Sequence, residues 1–235
     1  MENFKYLGVI LNEGNNNQID LQERIKDANK TYFMLQKIFK NKNISKKLIL
    51  RLKNTILNKT LTYASEIWTL TKRNRKQFNI FDRKVYRRIL GPVYDNEKEN
   101  WRVLTNKEIY ASVKKPTIIE TIRLSRLCWF GHVQRMEENR IPNRVLYMNL
   151  GTTRLRGRPR NRWQDKVRED GRIVGGGEGW EEKVHNREEW KKLLRMERNR
   201  RILHMPMELM SVTLEFNLKS GFQNQKYLSI LVAQG

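Results

Sequence analysis

Two-metal phosphoryl or nucleotidyl transfer needs two carboxylates held close around a pair of cations. The aspartates that could supply them are Asp20, Asp27, Asp82, Asp95, Asp165 and Asp170. No two are adjacent, and none follows a Tyr-x pair on a hairpin. Asp20 and Asp27 fall on one face of a helix, but Asp20 stands where a helix cap is expected. Glu137-Glu138 and Glu181-Glu182 lie in charged helical stretches, where a solvated face is expected. Cys128 sits beside Trp129 in apolar helical sequence and reads as a core residue. His132 reads as a structural hydrogen-bonding group. One cysteine and three scattered histidines, His132, His185 and His204, do not make a zinc knuckle. The sequence therefore assigns no catalytic residue, no metal ligand, no cofactor and no small-molecule substrate, and the expectation is a protein that is not an enzyme.

The cations offer binding chemistry instead. There are 48 Lys and Arg against 25 Asp and Glu, a net charge of +23. A chain so basic attracts polyanions, because neutralising phosphates releases condensed counterions. RNA, DNA or an RNA–DNA hybrid, held through phosphates, is the expected partner. Hydrophobic residues at 38%, with 6 Trp, are too many for a solvated polybasic tail, so a core is expected as well. A single cysteine fits a reducing compartment, and no apolar run is long enough to read as a membrane span or signal peptide. The expected location is nuclear or cytoplasmic, with no membrane partner.

Those cations must be positioned by helices. Leu21, Ile25, Ala28, Tyr32, Leu35 and Phe39 step by three and four, a regular apolar stripe that Asp20 would cap. Ser45 opens a second helix as N-cap, with Leu48, Leu52 and Ile56 facing inward and a run to about Trp68. Thr71 caps a third helix that Gly91-Pro92 stops. Phe78, Phe81, Val85 and Ile89 form its apolar face, and Lys72, Lys76, Arg83 and Arg87 lie on the opposite side, with Ile80 as an exception. The helix carries eight basic residues and one acid, Asp82. From Lys72 to Arg87 it spans roughly 22 Å, enough to follow several phosphates. Thr105 with Glu108 reads as a capping box, a long helix follows over Thr117–Met136, and Pro142–Tyr147 suggests a short one. Asn186 with Glu189 caps a last helix bearing Trp190, Leu193 and Leu194. At the other end of the chain, Phe4–Leu11 reads as a single unpaired strand ending in a turn.

The segment Gly151–Arg172 changes style, with eight basic residues broken by Gly and Pro. Arg154, Arg156, Arg158, Arg160 and Arg162 complete the expected phosphate-contacting set. Arg156-Gly157-Arg158-Pro159-Arg160 holds an R-G-R-P core like that of AT-hook peptides, whose extended backbone fits a narrow minor groove. A basic linker with no groove preference is the alternative. Gly175-Gly176-Gly177 and Gly179 read as a flexible joint, and no Gly-Lys-Ser/Thr follows to make a phosphate loop.

Several stretches together resemble the C-terminal part of non-LTR (LINE-type) retrotransposon reverse transcriptases. Phe4-Lys5-Tyr6-Leu7-Gly8 is similar to the strand after the catalytic hairpin of their palm. Tyr63-Ala64-Ser65-Glu66-Ile67-Trp68 resembles their thumb Y-G/A-x-E-x-W run, followed by a basic helix ending in Arg87-Arg88-Ile89-Leu90-Gly91. Leu127 to Val133, with Arg135-Met136, Arg140, Pro142 and Val145-Leu146, resembles their L-x-W-x-G-H-V-x-R-M-x-x-x-R-x-P-x-x-V-L block. Gly157-Arg158-Pro159 with Arg162-Trp163 and Asp165 resembles G-R-P-x-x-R-W-x-D. Trp180, Arg187 and Trp190 resemble a closing W…D-R-x-x-W element, with Asn186 where Asp is usual. Five blocks in the same order cover roughly Phe4 to Arg201.

The resemblance implies the palm's last strand, a thumb that grips template–primer duplex, and a tail that helps hold RNA or target DNA. The family's F/Y-x-D-D hairpin would precede Phe4, so the expectation is a truncated fragment without polymerase activity. The alternatives are RNA-directed DNA polymerase activity by homology, or a protein-interaction or pseudogene product with no enzymatic role. In the interaction reading the Trp-bearing helices Thr117–Met136 and Asn186–Arg200 would bury a partner. The expected fold is mainly α: a helical thumb-like bundle plus a basic helical tail, with a short N-terminal strand. Its expected divisions are a palm-strand remnant (1–18), the bundle (19–92), a helical connector (100–150), an Arg-rich and Trp-containing tail (151–204) and an unassigned end (205–235).

Overall fold

The computed structural model describes residues 3–13, 17–148, 162–175, 177 and 179–203. The fold is mainly α, as the apolar periodicity predicts, with two short antiparallel hairpins. The first hairpin pairs β1 (Asn3–Tyr6) with β2 (Val9–Asn12), Phe4 opposite Leu11 and Tyr6 opposite Val9. Phe4–Leu11 is therefore not one unpaired strand. Leu7 and Gly8 both take positive φ, 45° and 80°, the two-residue turn whose twist suits a tight hairpin.

The first helix, α1, runs Gln18–Met34, and α2 (Gln36–Lys40) continues its stripe to the buried Phe39. Asp20 does not cap α1; Asn17 holds that position. Instead the Asp20 carboxylate is buried, accepts the Ile10 N–H at 3.0 Å and pairs with Arg24 at 3.3 Å. The Ile10 amide of the hairpin thus engages the carboxylate in place of the helix end. Arg24 extends the link, donating to the Gly8 carbonyl at 2.8 Å and lying over the Tyr63 ring.

Ser45 caps α3 (Lys46–Leu52) as predicted, accepting from the Leu48 N–H. A π-helical turn at Lys53–Leu57 then leads into α4 (Asn58–Thr62). Of the predicted inward residues, Leu52 packs half-buried against the core, while Leu48 and Ile56 are exposed. Leu48 is 56% exposed, and Ile49, Lys53, Leu57 and Leu61 point inward. The stripe steps by four through a lysine, Lys53, which is fully buried. The helix ends at Thr62 rather than near Trp68, because Ala64 turns left-handed at φ 55° before a 3₁₀ turn at Ser65–Ile67.

The third predicted helix, α5 (Lys72–Leu90), starts at the Thr71 cap and stops at Gly91, where φ is 80°. Phe78, Phe81, Val85 and Ile89 are buried and Ile80 is exposed, as expected. A second hairpin, β3 (Val93–Asp95) with β4 (Asn100–Arg102), leads to α6 (Asn106–Val113). Both Thr105–Glu108 at α6 and Thr117–Glu120 at α7 (Ile118–Gln134) form reciprocal capping boxes. Then come α8 (Ile141–Tyr147), α9 (Trp163–Gly175), α10 (Trp180–His185) and α11 (Arg187–Leu203).

Two main cores share α7. One packs α1 to α5 around Leu21, Leu57, Trp68, Phe78 and Val85, and takes Ile118 and Ile122 from the start of α7. The other packs Leu127 and Phe130 of α7 against Val167, Trp180, Val184 and Trp190. A small third cluster ties Tyr86 of α5 to Leu104, Ile109 and Val113. Because α7 is covered from two sides, only a narrow strip faces solvent. Cys128 lies on that strip and is exposed, contrary to the expected core position, with His132 beside it. Among the described residues no helix is long and apolar enough to cross a membrane.

Candidate nucleic-acid interface

At 100° per residue, Lys72, Lys76, Arg83 and Arg87 share a stripe about 60° wide on α5. Lys72 and Lys76 are exposed, and Arg83 is half-buried. Arg87 uses its guanidinium internally: it donates to the Leu104 carbonyl at 3.2 Å and to Asn106 Oδ1 at 2.8 Å. It thus ties the end of α5 to the start of α6. Arg73, Lys84 and Arg88 add further exposed cations on the same helix. Arg162 is half-buried where α9 begins, and its backbone N–H donates to Asp165 Oδ2 at 3.3 Å. Arg154, Arg156, Arg158 and Arg160, with the R-G-R-P core, lie outside the described residues.

The acid of α5 does not serve this face. Asp82 is buried among the apolar residues and bonds to the buried Lys53. The Lys53 ammonium also lies 3.7 Å from the centre of the Tyr86 ring, a cation–π contact. Burial pushes the Asp82 carboxyl up and the Lys53 ammonium down, and their mutual attraction offsets part of each shift. Burial, then the nearby Asp82 charge, also raises the Tyr86 hydroxyl.

A second set of cations is likewise structural. Arg126 is buried in the middle of α7, donates to the Trp68 carbonyl at 2.6 Å and bonds to Asp170 of α9. Arg123 donates to the other oxygen of Asp170 at 2.9 Å. Arg135 donates to the Val184 carbonyl at 2.5 Å, and burial lowers its pKa. Sequence reading missed Lys53 and Arg126 as interior groups, though a signal existed. Each occupies an apolar-stripe position, Lys53 between Ile49 and Leu57, Arg126 four residues after Ile122. A cation there must find a buried carboxylate, and Asp82 holds the matching place on the apolar arc of α5.

The tryptophans complete this junction. Trp163 Nε1 donates to the Glu66 carbonyl at 2.8 Å, and Trp190 Nε1 donates to the Leu127 carbonyl at 3.1 Å. A Cβ on Gly131 would stand 2.4 Å from Trp190 Nε1, and one on Gly171 would stand 2.4 Å from the Trp180 ring. Gly175 would meet Trp180 Cβ at 2.3 Å, so this glycine of the supposed flexible joint closes α9 under a tryptophan. The helices bearing Trp190 and Leu127 bury these faces in each other.

The chain is 25% identical over 203 residues to an uncharacterized transposon-derived protein of Caenorhabditis elegans, covering 83% of this chain and 71% of that one. That likeness points to a transposon origin. No family model matches the sequence, and no solved structure matches it. Four of the five blocks noted in the sequence meet at the junction just described: the run ending in Trp68, the α7 block, Trp163 with Asp165, and Trp180 with Trp190. Their residues there pack, cap and bridge. Among the described residues no three His, Cys, Asp or Glu gather as a metal site would require.

Proposed function

We propose that this chain corresponds to the palm-end, thumb and tail stretch of a LINE-type reverse transcriptase, and that it binds RNA, DNA or their hybrid through phosphates. It carries out no polymerisation itself. The contacting groups are Lys72, Lys76 and Arg83 on α5, together with Arg154, Arg156, Arg158, Arg160 and Arg162. The observation that supports this reading most is the burial of Asp82. The acid of α5 is bonded to Lys53 in the interior, so its carboxylate is engaged by a buried lysine rather than by the exposed Lys72 and Lys76, and the solvent side of the helix presents lysines and arginines.

Fluorescence anisotropy with an RNA–DNA hybrid, duplex DNA and single-stranded RNA across a salt series tests this. If about six phosphates are neutralised, log K falls against log salt with a slope of about −5 on B-form DNA. Lys72→Glu/Lys76→Glu, at two exposed positions, is expected to weaken binding and flatten that slope by about 2. A slope near zero, or binding untouched by the double reversal, removes the α5 interface.

A further inference from the structure

A groove of about 810 Å³ opens between α3 and α6, away from the Lys72–Lys76 stripe. Leu50, Leu90, Val93 and Val113 line its floor, and Lys47, Arg51, Lys114 and Lys115 stand at its rim. These four cations are exposed. Its lining acid, Glu108, is already paired with Arg102 at 2.6 Å. The groove therefore fits an occupant that is apolar on one side and acidic at its edges. Its lining carries no aromatic ring on which a nucleic-acid base could stack.

The path of α11 brings such a segment close. α11 runs antiparallel to α7: Trp190 meets Leu127, while Glu197 and Arg198 share a small cleft with Pro116, Glu120 and Leu124. The helix continues from Arg198 to Leu203, roughly 8 Å at 1.5 Å per residue. The chain thus leaves α11 in the neighbourhood of Pro116, next in sequence to the rim residues Lys114 and Lys115. The stretch that follows, Met205–Leu218, reads MPMELMSVTLEFNL, with eight apolar residues, two glutamates and no Lys or Arg. Fourteen residues can extend up to roughly 50 Å, ample to cross the groove.

We propose that residues 205–218 dock in the α3–α6 groove of their own chain, apolar side chains on the floor, Glu208 and Glu215 toward the rim cations. This stands independently of the phosphate-binding reading. The test is a distance measurement by pulsed electron spin resonance on the full chain. Nitroxides are placed at Thr55→Cys in the groove and Ser211→Cys in the segment, with the exposed Cys128 changed to Ser. The expected result is one narrow, short-distance peak that survives dilution with unlabelled chain. Glu208→Lys/Glu215→Lys should disperse the peak, and adding Arg51→Glu/Lys115→Glu should restore it. A broad distribution in the parent, or a peak indifferent to both reversals, overturns the proposal. So does a peak lost on dilution, which means docking between copies. A peak emptied by a short single-stranded RNA as it binds also overturns it, because nucleic acid is then the preferred occupant.

Discussion

The two cores that share α7 are built from different materials. The core of α1 to α5 is mostly aliphatic, with Phe and Tyr rings and a single indole, Trp68, stacked on Phe78, and its charged pair, Lys53–Asp82, joins two neighbouring helices inside it. The core of α7 and α9 to α11 depends on large indoles seated on glycines, and its charged group, Arg123–Arg126–Asp170, lies at its border with the first core. An aliphatic core can repack around small changes. An indole pressed against a Cα has one fit. The second region should therefore be the more brittle, and Arg126, which reaches Asp170 on one side and the Trp68 carbonyl on the other, should couple its loss to the first.

The largest effect is expected from Asp170→Ala, which leaves the buried Arg126 without its carboxylate. Removing one partner of a buried ion pair costs about 3–5 kcal/mol, and urea denaturation should show it as a lowered midpoint. If the cores are coupled, Trp fluorescence and far-UV dichroism should report one transition in this variant as in the parent. Two separated transitions would break the coupling argument. Next come Gly131→Ala and Gly171→Ala, each placing a methyl within 2.4 Å of an indole atom. Overpacking of this kind costs about 1–3 kcal/mol. The matched control is Ala28→Gly in the first core, a buried position where about 1 kcal/mol is expected from helix propensity. Should the two Gly→Ala variants prove neutral, the indoles have room to shift and the brittleness is wrong.

The Lys53–Asp82 pair sharpens the contrast from the other side. Lys53→Met leaves Asp82 buried and unpaired, and a loss of about 3 kcal/mol at neutral pH is expected. Lys53→Met/Asp82→Leu should recover most of it, since an apolar pair suits an aliphatic surrounding. In Lys53→Met the Asp82 carboxyl, already raised by burial, has lost the cation that held it down. A raised carboxyl keeps its proton longer in the folded than in the unfolded chain, so the folded state binds more protons and stability falls as pH rises between the two pKa values. The single variant should therefore regain stability on acidification relative to the double variant, measured as the difference in urea midpoint against pH.

Most of the helical frame was legible in the sequence, because capping residues and apolar periodicity are local signals. Ser45, Thr71 and Thr105 cap the helices they were expected to cap, and Phe78, Phe81, Val85 and Ile89 face inward. What escaped was non-local. The inward face of α3 and α4 passes through Lys53, whose buried position depends on an aspartate 29 residues away. Cys128 lies on the exposed strip because α7 is covered on two sides, a property of its neighbours. The hairpin of β1 and β2 was hidden by a turn that places Leu7, not an Asn or a Gly, at positive φ. The candidate interface was legible in part. Lys72 and Lys76 are exposed as expected, but Arg87 is tied to α6, and nothing in its helical position distinguishes it from them.

The smallest effect tests whether a half-buried pair that solvent still reaches behaves unlike the buried ones. Glu108 closes the α6 capping box and accepts from Arg102 at 2.6 and 2.9 Å. The Arg102 hydrogen bonds, with those from Thr105, hold its carboxyl down at about 2. In an unfolded chain a glutamate titrates near 4.3. A depressed folded pKa means the carboxylate's contribution is fully present above the unfolded value and lost as pH falls through the folded one. Glu108→Gln should thus be less stable than the parent at neutral pH by a modest margin, and the two should converge between about pH 4 and pH 2. Because the pair is reached by solvent, high salt should shrink the margin, whereas the loss caused by Asp170→Ala should hardly change. A salt-independent margin for Glu108→Gln would mean that the cap hydrogen bonds, and not the charge on Arg102, carry the effect.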